Sequence, residues 1–186
     1  MLLLLCATLF AGAIFTSSNG CGTGPGTFKI FDFNKFNGQW LWLYHTLDDM
    51  DSSFGCILDV YIPRGDKALT IAVSYNRVLK RNQIFKGSVK EWTSTSFLHE
   101  FDDNAPVPWE SNVFILGIDY EKYVVVKSYL VGKDDTQIYV GFRGMNPKED
   151  AIEAANKTLQ ENGMSLKDLA RFPDCDEMLK LLGVEP

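Results

Sequence analysis

The chain has 186 residues, 46% of them hydrophobic and 23% charged, and a formal net charge of −6. That apolar content excludes a disordered chain. The acidic balance argues against nucleic acid or an anionic membrane as the main partner.

Residues 1–20, MLLLLCATLFAGAIFTSSNG, carry no charge. An apolar run of about fifteen residues followed by small and polar ones is too short to span a bilayer and reads as a secretory signal peptide. The remainder, 21–186, suits a single domain, and no later segment is long and apolar enough to be an integral membrane span. Cys6 leaves with the leader, so Cys21, Cys56 and Cys175 remain, an odd number for an oxidising compartment. One disulfide and one leftover thiol is the simplest reading. The stretch 21–26, CGTGPG, reads as a flexible segment, because no strand precedes it and no helix follows.

From 39 to 143 the texture is that of strands and turns. QWLWLYHTL, CILDVYIP, LTIAVSYNRVL, NQIFKGSVKEW, TSTSFLHEF, NVFILGI, KYVVVKSYL and TQIYVGFR are rich in β-branched and aromatic residues and are separated by breakers such as Pro63-Arg64-Gly65-Asp66. Eight strands joined by short turns predict an antiparallel up-and-down barrel or a sandwich. Alternation places Leu69, Ile71, Val73 and Tyr75 on one face, and Phe97 with His99 and Phe101 on another. The start of YVVVKSYL is apolar on both faces, so something outside the sheet must cover it.

The cover follows in sequence. Asn146-Pro147-Lys148-Glu149 opens a helix, with Asn146 as the expected N-cap and Pro147 at its first position. Ile152, Ala155 and Leu159 recur at helical spacing, and Asn162-Gly163 is the stop. The helix is expected over about 147–162 and a tail over 163–186, in which Met178, Leu179, Leu181 and Leu182 form a short closing element. Asn156-Lys157-Thr158 is an N-glycosylation sequon.

Catalytic chemistry is sparse. His45 and His99 sit in no metal-spaced cluster, and C-x-x-C and G-x-S-x-G are absent from the sequence. Asp102-Asp103 and Asp134-Asp135 read as solvated turns, and Asp119 as a turn-capping acid. His45 has the chemistry to hydrogen-bond a ligand, though a partly exposed strand histidine is the commoner case. The chain is read as a non-enzyme without a metal or a required cofactor.

Three motifs now stand in order: Gly38-Gln39-Trp40 after FDFNKFN, then Ile118-Asp119-Tyr120-Glu121-Lys122-Tyr123, then Arg143 just before the helix. Together with the tail NGMSLKDLARFPDC they resemble the lipocalin family, and within it the insect and crustacean pigment-binding members and the apolipoprotein D group. The second motif is similar to the family's Thr-Asp-Tyr-x-x-Tyr, with Ile118 in place of Thr. The resemblance implies a mainly β fold: an eight-stranded antiparallel up-and-down barrel over about 39–143, with one C-terminal helix packed outside. It also implies a structural role for Gly38, Trp40, Asp119, Tyr120 and Arg143. Physically, the closed end of a barrel needs a plug, and an arginine over an indole face is a cation–π neighbour.

If Trp40 points inward, Trp42 and Tyr44 share its parity. They either fill a solid core or line a cavity, and the resemblance implies the cavity. Parity and the resemblance together nominate Trp42, Tyr44, Tyr61, Tyr75, Phe97, Phe114, Leu116 and Val126 as the lining. The resemblance further implies a disulfide between Cys56 and Cys175. It leaves Cys21 without its usual partner, because that region reads Lys127-Ser128-Tyr129. The function expected is a secreted, extracellular carrier of a small hydrophobic molecule, a bilin or carotenoid ahead of a retinoid or fatty acid, with homo- or hetero-oligomerisation left open. A filled barrel whose open-end loops bind a protein is the alternative. An isomerase of the kind seen in a few lipocalins is a third reading, and it would need a reactive thiol or an acid–base pair inside.

Overall fold

The computed structural model describes residues 31–46, 53–102, 110–132 and 136–184. The expected leader, Cys21 and the Gly-rich stretch 21–26 lie outside these residues, as do Asp103 and Asp134-Asp135.

Eight strands follow one another: β1 (Gly38–His45), β2 (Phe54–Arg64), β3 (Lys67–Asn76), β4 (Arg81–Lys90), β5 (Ser96–Phe101), β6 (Glu110–Asp119), β7 (Tyr123–Leu130) and β8 (Thr136–Phe142). Each pairs antiparallel with the next, and β1 pairs with both β2 and β8, so the sheet closes into a barrel. Closure leaves no open edge to template aggregation. Three ladders slip by a residue or more: β1 between Trp42 and Tyr44, β2 between Phe54 and Ile57, and β6 between Ile115 and Gly117. Such a bulge turns the side chains that follow it to the other face of the sheet.

A short helix, α1 (Phe33–Phe36), precedes β1, and its N-terminus is capped by Asp32, whose carboxylate accepts from the Asn34 amide at 3.1 Å. This helix was not anticipated from the sequence, because four residues carry no helical periodicity to read. After β8 comes α2 (Glu149–Glu161), which packs on β6 and β7 and buries Ala151, Ala155, Thr158 and Leu159. It supplies the outside cover expected over β7, where Val124 and Val125 are both fully buried. The contact is tight: a Cβ on Gly117 would stand 2.6 Å from Thr158.

The helix start differs from expectation. The N-cap position falls on Lys148, with no side-chain cap, and Asn146 stands outside the helix. Acids in the first turn serve the helix dipole instead: Glu149 and Asp150 occupy it, and Lys122 donates to Asp150 at 2.7 Å. Asn156 is half-buried within α2, where its side-chain oxygen accepts from the Leu166 amide at 2.9 Å, and Thr158 of the same sequon is buried.

The tail adds a 3₁₀ turn (Leu166–Asp168), a strand β9 (Ala170–Arg171) beside Tyr44 and His45 of β1, and α3 (Cys175–Leu181). Helix α3 lies against β2, β3 and β4 and is bonded to the barrel by the Cys56–Cys175 disulfide. Met178 and Leu179 are buried there as expected, whereas Leu181 and Leu182 are exposed.

Candidate functional site

The three sequence motifs meet at the closed end of the barrel. Gly38 adopts φ +85°, which glycine alone takes without strain, and its Cα faces the Arg143 guanidinium, which an added Cβ would meet at 3.4 Å. Trp40 is fully buried, stacks on Phe36 of α1 at 5.2 Å, and donates its indole N–H to the Phe36 carbonyl at 2.9 Å. The Arg143 guanidinium carbon lies 3.7 Å from the Trp40 ring centroid. Arg143 also donates to the carbonyls of Asn37, Gln39 and Tyr120 at 2.8–2.9 Å, which ties α1, β1 and the β6–β7 turn together. The Tyr120 hydroxyl accepts from the Asp32 amide at 2.7 Å, and Asp119 caps its turn by accepting from the Glu121 amide at 3.0 Å. These contacts bring Gly38, Trp40, Tyr120 and Arg143 together, with Asp119 in the adjoining turn.

Residues directly opposite one another on paired strands share a face. Trp40 is opposite Asp59, and Asp59 is in turn opposite Ala72 of β3. The interior seen from Trp40 therefore includes Trp42, Asp59 and Tyr61, with Ala68, Thr70, Ala72 and Ser74 of β3 opposite or flanking them. Trp42, Tyr61, Phe97 and Val126 were nominated for the interior, and all four are buried on it. Trp42 lies over Gly141, where a Cβ would approach its ring to 2.9 Å, and meets Tyr139 at 6.0 Å between centroids. Val126 is opposite Tyr139. Phe97 and Tyr61 belong to the aromatic floor, with Phe31, Phe33 and Phe36.

Three nominations fall elsewhere. Tyr44 follows the β1 bulge, is opposite Val140, and meets Phe142 on the outer face. Phe114 precedes the β6 bulge and is opposite Lys127; it is 40% exposed and packs on Tyr129 at 5.4 Å on the outside. Counting back from Ile118 crosses that bulge and inverts the face. Tyr75 is opposite Asn82, whose side chain donates to the Met178 carbonyl of α3 at 3.0 Å. It therefore lies on the α3 side: the apolar face of β3 is the outer one. Leu116 occupies the β6 bulge itself, half-buried and without a register partner on β7.

The interior also holds polar groups that the lining nominations passed over. Asp59 is 6% exposed, and its Oδ2 accepts from Trp42 Nε1 at 2.8 Å and from the Tyr61 hydroxyl at 3.1 Å. Its Oδ1 has no hydrogen-bond partner, and neither do Thr70 Oγ1, Ser74 Oγ and His99 Nε2. A signal for Asp59 existed: it stands two residues before Tyr61, in a strand where charge is otherwise absent until Arg64. The small residues of β3 surround its register partner Ala72. His45 turns inward after the β1 bulge, packs on Phe172 at 4.1 Å, and places Nδ1 2.6 Å from the Thr46 carbonyl.

Burial pushes the Asp59 carboxyl up to about 6, against the lowering effect of its bonds from Trp42 and Tyr61. Burial pushes His99 down to about 4. The two act on stability with opposite sign. Asp59 contributes stability that is full below its unfolded pKa near 3.8 and is lost as pH rises through about 6. His99 contributes stability that is full above its unfolded pKa of 6.5 and is lost as pH falls through about 4. Each effect is about 3 kcal/mol, so they nearly cancel between pH 4 and 6. Asp59→Asn removes the first alone. Urea titrations are expected to show the variant gaining up to about 3 kcal/mol over the parent between pH 4 and 7. A pH-independent difference between the two proteins would refute the buried charge at Asp59.

Among the described residues no group of His, Cys, Asp and Glu has a metal-binding arrangement, and no helix is long and apolar enough to cross a membrane. No family model matches the chain, and no curated protein matches it. Solved structures do. The cockroach allergen Per a 4 superposes with a TM-score of 0.67 at 21% identity, over 78% of this chain and 90% of that one. The amine-binding protein of Rhodnius prolixus, in its tryptamine complex, gives 0.62 at 20% identity, over 83% and 91%. Insecticyanin from the tobacco hornworm Manduca sexta gives 0.65 at 14% identity, over 77% and 81%. These likenesses establish a shared barrel fold.

Proposed function

We propose that this chain is a secreted lipocalin that carries one small ligand inside its barrel by non-covalent binding. The observation that carries the reading is the set of buried, unpartnered polar atoms on Asp59, Thr70, Ser74 and His99 inside an aromatic barrel. A finished protein core pairs such groups, because each one left bare costs about 1–3 kcal/mol. A site that a ligand completes leaves them open. The inward face of β3 carries only small side chains from Ala68 to Ser74, which leaves bulk to be supplied by a guest. The tryptamine-bound protein similar in fold supports a small molecule as the guest. A disulfide fits an oxidising, extracellular setting.

The same atoms rank the ligands suggested by resemblance. A carotenoid or the chain of a fatty acid would cover the polar atoms without bonding them. A bilin, whose conjugated rings carry N–H and C=O groups, would bond some of them and stack on Trp42 and Tyr139. A bilin therefore leads among the pigments.

The test is an absorption spectrum and a native mass spectrum of the protein purified from its natural source. One additional small-molecule mass per chain is expected, and a visible band would mark it as a pigment. No bound mass, together with no quenching of tryptophan fluorescence by added bilins, retinoids or fatty acids, would replace the carrier with the protein-binding alternative.

A further inference from the structure

We infer that the ligand carries a protonated nitrogen and that Asp59 is its counter-ion inside the barrel. The inference rests on the carrier reading and adds the charge of the ligand to it. Asp59 sits at mid-strand on β2, among aromatic rings rather than in a turn. One of its oxygens is held by two donors from different strands, the indole of Trp42 and the phenol of Tyr61. That grip fixes the carboxylate in one orientation and directs the other oxygen away from both donors, without a partner. Among the described residues no lysine, arginine or histidine forms an ion pair with it; the four ion pairs lie elsewhere, on partly exposed side chains.

An uncompensated buried carboxylate is among the costliest groups a fold can retain. A cation from outside the chain removes that cost where a neutral or anionic guest would not. The surroundings suit an ammonium head. It has three N–H donors and no acceptor. The unpartnered oxygen of Asp59 takes one, and the hydroxyl of either Thr70 or Ser74, which lie on opposite sides of Asp59's register partner Ala72, is an acceptor for another. Ring faces of Trp42 and Tyr61 suit a cation as well as the apolar body behind it. The unpartnered oxygen is closed off from solvent, so seating a head group beside it requires interior side chains to move on binding, as is common at ligand sites. The ligand class is therefore an amine on an aromatic or apolar body. A fatty acid, whose only polar group would bring a second carboxylate against Asp59, is excluded by that charge; a ligand whose carboxylates lie away from Asp59 is not.

Calorimetry on the secreted protein at pH 7.5 tests this with three probes of one shape: tryptamine, the uncharged 3-ethylindole and the anionic indole-3-acetate. Tryptamine is expected to bind at least about tenfold more tightly than 3-ethylindole, and indole-3-acetate more weakly than either. Asp59→Asn is nearly isosteric and is expected to lose about thirty-fold or more of the tryptamine affinity, and far less of that for 3-ethylindole, which has no charge to pair. If the variant fails to fold, the ranking of the three probes on the parent protein decides the matter. Equal binding of tryptamine and 3-ethylindole, or tryptamine binding unchanged by Asp59→Asn, overturns the counter-ion and leaves the carrier standing. Binding of none of the probes, with no ligand retained from the natural source, overturns both.

Discussion

Trp40→Ala is expected to destabilise the fold by about 4–5 kcal/mol, the largest effect of any single substitution outside the disulfide. Trp40 is fully buried, and three interactions end on it. Removing a buried tryptophan to alanine costs about 3–5 kcal/mol in transfer and cavity terms. The cation–π contact with Arg143, at 3.7 Å from the ring centroid, adds about 0.5–2 kcal/mol. The Phe36 carbonyl, which accepts the indole N–H at 2.9 Å, loses its partner. These contributions are not additive, because Phe36 and Arg143 would relax into the same space. Against a typical stability of about 5–15 kcal/mol the variant should be marginally folded at 37 °C. Urea unfolding followed by circular dichroism measures it. Trp40→Phe keeps an aromatic plug and should cost roughly half as much. A loss below about 1 kcal/mol for Trp40→Ala would show that α1 closes the barrel without it.

The second large effect is expected from the bridge. Replacing Cys56 and Cys175 together with alanine should cost about 4 kcal/mol. The bond spans a sequence separation of 119 residues, for which the chain-entropy model gives about 4–5 kcal/mol. Both cysteines are buried, and α3 remains packed through Met178 and Leu179 in the double variant, so part of the tail's docking survives. Comparing urea midpoints of the oxidised protein, the reduced protein and the double variant checks this. Agreement between reduced and double-variant midpoints, both well below the oxidised one, is expected. Three coincident midpoints would assign the docking of the tail to side-chain packing alone.

The strands were legible because period-two apolar texture and turn residues are local signals, and all eight appear within a few residues of where the sequence placed them. Helix α2 was legible for the same reason, although its start moved to Glu149 once tertiary contacts from Lys122 served its first turn. The faces were not. Tyr44 is read inward by counting in steps of two from Trp40, and Phe114 by its resemblance-based place four residues before Ile118, and a bulge in each strand puts both outside. Tyr75 was read inward because it shares the more apolar face of β3, and that face turned out to lie against α3.

Asp59 and His99 show the same division. The isolated charge in CILDVYIP sets Asp59 apart, but nothing local there or in SFLHEF tells an unpaired acid or a neutral imidazole from a solvated one, because burial is a property of what closes over a residue from other strands. By itself the sequence determined the order of the eight barrel strands and the helix that follows them, the capping acid Asp119, the glycine at Gly38 and the chemistry available at each position. These depend on neighbours within a few residues, where backbone sterics and side-chain periodicity act. Only the tertiary structure decided which face of each strand lies inside, where Arg143 finds Trp40, and that one oxygen of Asp59 is left without a partner. Those outcomes depend on register and bulges across ladders joining residues far apart in the chain, and a one-residue slip in any ladder changes them.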